Sequence, residues 1–123
     1  MAAQSLGMSA TLFGDARSQF LSARRVSELL GVTQADLARL VGVARNTLTA
    51  RSGARKVDQA LSPVVRILAM ATEMAGDESR AAIWFKHQPI PGWAGKTAYD
   101  LVGEGKADKV LAYLEAVRSG VYA

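Results

Sequence analysis

Apolar residues recur along this chain at spacings of three and four, and glycines, prolines and capping residues separate the runs. Phe20, Val26, Leu29 and Leu30 predict a helix that begins near Ser18 and is stopped by Gly31. Thr33 opens the next helix, with Asp36 three residues on at capping-box spacing. Leu37, Leu40 and Val41 form its inward face and Gly42 ends it; a further helix is predicted from about Ala44 to Arg51, with Leu48 inward. Residues 52–61 read as a linker, after which Ser62-Pro63 supplies an N-cap and a proline at the first helical position. Val64, Ile67, Leu68 and Ala71 carry that helix to Gly76, and Asp77 caps another that holds Ile83, Trp84 and Phe85. Two prolines and two glycines within residues 88–95 demand a loop. Thr97 and Asp100 repeat the cap spacing before a short helix ending at Gly103. The last helix runs from about Ala107 to Arg118 with a stripe at Val110, Leu111, Leu114 and Val117, stopped by Gly120. No stretch alternates with period two long enough to make a sheet, so the fold class expected is all-α.

Charge divides the 123 residues in two. The first sixty hold eight Lys/Arg and four Asp/Glu, and the remainder holds seven of each, so the whole net charge of +4 lies in the first half. Arg39, Arg45, Arg51, Arg55 and Lys56 stand in a stretch with no acid between Asp36 and Asp58. Six of the eight aromatic residues lie beyond residue 83. One half is suited to an anionic partner, the other to burying rings or gripping a protein. The division expected is a loose arm over 1–16, a DNA-binding subdomain with its linker over 17–61, and a helical domain over 62–123.

The chain has no cysteine and one histidine, which excludes disulfide scaffolds, thiol nucleophiles and Cys/His zinc sites. No clustered nucleophile, base or metal set points to an enzyme, a cofactor or a metal. No apolar run approaches the ~20 residues that span a bilayer. The start of the chain does not read as a secretory signal, which leaves a soluble cytoplasmic protein as the expectation.

The sharpest constellation is Gln34–Arg51. Two short helices meeting steeply need a small residue where they touch, met by Ala38, and one that tolerates positive φ at the turn, met by Gly42. Leu37, Val41, Val43 and Leu48 occupy the inward positions of a helix-turn-helix. Ala44, Arg45, Asn46, Thr49 and Ala50 then lie on the outer face of the second helix. Arg and Asn side chains can bond bidentately to guanine and adenine edges. Arg51 takes a late position that usually points inward, so either the helix frays there or Arg51 swings out to a phosphate. Arg55 and Lys56 complete the candidate DNA-contacting set. A single short module seldom binds tightly alone, so a homodimer on a two-fold site is expected.

In the second half, Trp84, Phe85 and the stripe of the last helix read as core. Trp93, in the Gly/Pro loop, reads equally as a lid over that core or an exposed anchor. His87, in the last turn of its helix, suits the helix dipole. The tail Ser119-Gly-Val-Tyr-Ala123 ends on apolar residues where frayed polar ones are usual, and composition leaves packed tail and interaction tail open.

With these residues in place, the chain resembles antitoxins of the Xre/MbcA/ParS family over about residues 24–123. The N-terminal likeness lies in GVTQADLARLVGVARNTLTAR. The more specific C-terminal likeness lies in AAIWF, a Pro/Gly loop, GKTAYDLV and KVLAYLEAVRSGVYA. Ala98 stands where the family usually has Pro, and Tyr99 where it usually has Leu.

The resemblance implies an antitoxin, not an enzyme, whose partner is a RES-domain toxin that consumes NAD or transfers ADP-ribose. It implies that Gly120, Val121, Tyr122 and Ala123 plug the toxin's active site; Trp93, as an exposed anchor, is a further candidate toxin contact. It also implies that Arg45, Asn46 and Thr49 read the operon's own promoter DNA. A stand-alone regulator whose C-terminal domain only dimerises or senses a ligand is the alternative, and the two readings separate on the tail.

Overall fold

The computed structural model describes residues 23–44 and 54–120, with side chains in the second stretch from Val57 onward. Six helices lie within them: α1 Ala23–Leu30, α2 Gln34–Val41, α3 Ala54–Ala75, α4 Glu78–His87, α5 Ala98–Gly103 and α6 Ala107–Arg118. The fold is all-α; the described residues contain no strand, only an isolated bridge between Pro89 and Thr97. The expected arm over 1–16, the helix start near Ser18 and all but the first residue of the helix from Ala44 to Arg51 lie outside the described residues.

Local chemistry sets most of the helix ends. The Thr33 hydroxyl accepts from the Asp36 amide at 3.0 Å, and Gly42 closes α2 at φ 76°. Asp77 caps α4, its carboxylate accepting from the Arg80 amide at 2.7 Å. At α5 both halves of a capping box form: the Thr97 hydroxyl accepts from Asp100 N at 3.2 Å, and the Asp100 carboxylate accepts from Thr97 N at 3.0 Å. Gly105 at φ 79° then turns the chain directly into α6, with Lys106 N donating to Leu101 O at 2.8 Å.

The segment expected as a linker is not one. From Ala54 it belongs to α3, which runs unbroken through Ser62-Pro63, so these residues are not a helix start. Proline within a helix cannot donate to the carbonyl four residues back and usually breaks it. Here burial of Val57, Leu61, Val64, Ile67, Leu68 and Ala71 along one face outweighs that defect. The boundary expected between residues 61 and 62 thus falls inside this helix.

α3 is the spine, packing against α4 on one side and α6 on the other. α5 closes the layer by touching α4 and α6, while α1 rests on α4 and α2 rests on α5. One continuous apolar core results, running from Ala23 and Val26 through Leu37, Leu61 and Leu68 to Phe85, Leu101 and Leu114. Phe85, the largest fully buried side chain, meets Tyr99 edge-on with ring centroids 6.1 Å apart. Among the described residues the two buried polar ones are satisfied within their own helices: Ser27 Oγ donates to Arg24 O, and Thr72 Oγ1 to Leu68 O.

Candidate functional site

The turn motif is built as its sequence requires up to the point where description stops. Leu37 and Ala38 are buried, and Val41 and Val43 pack half-buried against the core. After Gly42, Val43 N donates back to Ala38 O at 3.0 Å, fixing the exit of the chain from α2. Arg45, Asn46, Leu48, Thr49 and Arg51 lie outside the described residues, as do the side chains of Arg55 and Lys56. On α2 itself, Arg39 is exposed and bonded to the Asp36 carboxylate. The Thr33 hydroxyl and then the Arg39 guanidinium hold the Asp36 carboxyl below its ordinary range.

This motif is not an independent module. Leu40 of α2 faces Gly103 at the end of α5, and Gly31 faces the Lys86 side chain of α4. The same contact reaches Tyr99, whose hydroxyl is pushed up first by burial and then by the negative charge of Asp36, with Arg39 opposing. The helix that would carry the base-reading element is therefore seated on the GKTAYDLV segment.

The 88–97 loop is held by its own ties. Buried Ile90 donates its amide to Lys96 O at 2.8 Å, and Lys96 N donates to Trp93 O at 3.0 Å. Gly92 and Gly95 take positive φ, and so does Ala94 at 54°. Trp93 packs half-buried against the core, with Lys106 Nζ 5.5 Å from its ring centroid. Lys96 Nζ lies 2.8 Å from Glu104 Oε2 and Lys106 Nζ 3.3 Å from Oε1. These two lysines hold the Glu104 carboxyl below its ordinary range. The sequence reading missed this network, since residues eight apart in different elements leave no periodic signature.

At the far end, α6 finishes with Ser119 N donating to Glu115 O and Gly120 N to Val117 O. Gly120 is exposed at φ 84°, and Val121, Tyr122 and Ala123 lie outside the described residues. Among the described residues no group of His, Cys, Asp and Glu could hold a metal ion, and no helix is long and apolar enough to cross a membrane.

A basic turn motif is thus seated on a neutral helical domain within one core. Comparison with known families gives both parts their names. Residues 15–65 match the antitoxin Xre-like helix-turn-helix domain, and residues 70–120 match the antitoxin Xre/MbcA/ParS C-terminal toxin-binding domain. The chain belongs to the Xre/MbcA/ParS antitoxins: it carries a DNA-binding helix-turn-helix and a domain that binds a toxin. Comparison with curated proteins and with solved structures gives no match.

Proposed function

We propose that this antitoxin neutralises a RES-domain toxin, one that consumes NAD or transfers ADP-ribose, by inserting its C-terminal segment into the toxin's active site. The observation that carries the reading is the arrangement of the two matched domains, DNA-binding then toxin-binding, on one hydrophobic core. Gly120 ends α6 in an exposed left-handed turn, a suitable base for a short projecting segment. Val121 and Tyr122, followed by Ala123, give that segment an apolar body and a polar tip, suited to a nucleotide-binding cleft. Trp93 adds a contact through its solvent-facing edge.

On the DNA side, Arg45, Asn46 and Thr49 read base edges, while Arg51, Arg55 and Lys56 hold phosphates. A homodimer on a two-fold operator represses the antitoxin's own promoter in the cytoplasm. The protein needs no cofactor or metal, because it acts by binding and the catalysis belongs to the toxin. The test is co-expression with the toxin encoded in the same operon. Restored growth and cellular NAD, with a stable complex on size exclusion, is the result expected. Growth arrest despite soluble antitoxin would refute the reading.

A further inference from the structure

The segment Gly120–Ala123 is too small to hold a toxin by itself. Stable protein interfaces bury roughly 800 Å² on each partner, whereas even a large aromatic side chain buries about 150–250 Å². Gly120-Val-Tyr-Ala123 has one aromatic residue, so a docking face must accompany the plug.

The described surface offers one apolar face in the right place. Ala71, Met74 and Ala75 at the end of α3, Trp84 of α4, and Tyr113, Leu114 and Val117 of α6 line a groove of about 230 Å³. An enclosed apolar cavity of about 150 Å³ accommodates benzene, so this groove has room for an aromatic or leucine side chain. Trp84 also lines a second depression beside Ile83, which joins the two into one patch. Among the described residues Met74 and Ile83 are the two large hydrophobic ones that stand exposed, at 42% and 61%. Apolar residues scattered singly on a surface need no explanation, but a contiguous patch around a groove does. Arg80, which lines the second depression, is paired with Asp77 at 3.4 Å.

We infer that this groove, centred on Trp84, is a second docking surface for the toxin, which fills it with a large apolar side chain from a helix or loop. Two observations favour the toxin over a second copy of this chain. Every lining residue falls within the matched toxin-binding stretch, residues 70–120. Val117 also stands three residues before Gly120, so the tail leaves the fold at the rim of the groove. The inference rests on the antitoxin reading and adds where affinity arises: the groove holds the toxin and the tail blocks it.

The test uses the full chain, the toxin of the same operon, and Met74→Glu/Ile83→Glu, two exposed positions where charge leaves the core intact. The variant is expected to keep the unaltered protein's melting curve and mass while its affinity for the toxin falls at least tenfold. A chain ending at Ser119, with the groove intact, is expected to bind the toxin without inhibiting it. Unchanged affinity in the double variant would overturn the groove alone. A variant that weakens binding only while its own free oligomer dissociates would also overturn it, by marking the face as a self-interface. If the unaltered chain fails to bind the toxin, the antitoxin reading falls and the groove falls with it.

Discussion

Leu40, on the first helix of the turn motif, lies against Gly103 at the end of α5, where an added Cβ would stand 3.8 Å from Leu40 Cδ1. That contact joins the DNA-binding part to the toxin-binding part through the core, not through a tether. Elements sharing one core lose their packing together. Urea unfolding followed by far-ultraviolet circular dichroism, which reports all helices, should therefore coincide with unfolding followed by tryptophan fluorescence. Both tryptophans, Trp84 and Trp93, lie in the second half. Two separated transitions would show that the halves fold independently.

Two glycines make opposite predictions for the same substitution. Gly42 has open space for a Cβ but sits at φ 76°, so Gly42→Ala meets only backbone strain. It should cost about 1–2 kcal/mol. Gly103 is helical without positive φ, and its Cβ would make an ordinary contact with Leu40. Gly103→Ala should be neutral or stabilising by up to about 1 kcal/mol. Thermal melts of the pair check this, and equal shifts in the same direction would contradict the assignment.

Acid should weaken the fold in part through Glu104. Its carboxyl is held below the ordinary value of 4.5 by Lys96 first and Lys106 next. A depressed carboxylate contributes stability above its unfolded-state pKa, and this is lost as pH falls through the lowered folded-state value. Asp36, also lowered, acts in the same direction. Glu104→Gln should therefore be less stable than the unaltered chain at neutral pH, and the gap should close as the solution is acidified below the ordinary carboxylate range. Urea midpoints across that range measure it; a gap that stays constant with pH would dissociate Glu104 from the effect.

DNA binding should be strongly salt-dependent. If each subunit of a dimer neutralises about four phosphates, the slope of log affinity against log salt is roughly −7. Arg45→Ala with Asn46→Ala should lower promoter affinity and leave toxin neutralisation intact. An unchanged gel shift at moderate salt would remove these residues from the interface.

What the sequence revealed and what it hid have physical reasons. Caps are local, so Thr33, Asp77 and Thr97 announced their helices correctly, as did Gly42 for its positive φ and Gly120 for the end of α6. The error at residues 52–61 came from giving Pro63 more weight than the spacing of Val57, Leu61, Val64 and Leu68, which is already helical. Grouping Ile83, Trp84 and Phe85 hid a distinction that the helical period makes. Ala81, Ala82 and Phe85 share the buried face, and Ile83 lies off it. The union of the two halves was not legible at all, because periodicity shows that a face is buried and not which helix covers it. Among the candidate site residues, Trp93 packs half-buried against the core. The whole DNA-contacting set and the tail beyond Gly120 stand on sequence and family.

The most direct measurement is deletion of Gly120–Ala123 in cells expressing the toxin of the same operon. The shortened chain should keep its melting curve and its promoter shift while cells lose growth and NAD as if no antitoxin were present. Full protection by the shortened chain would contradict inhibition through the C-terminal segment.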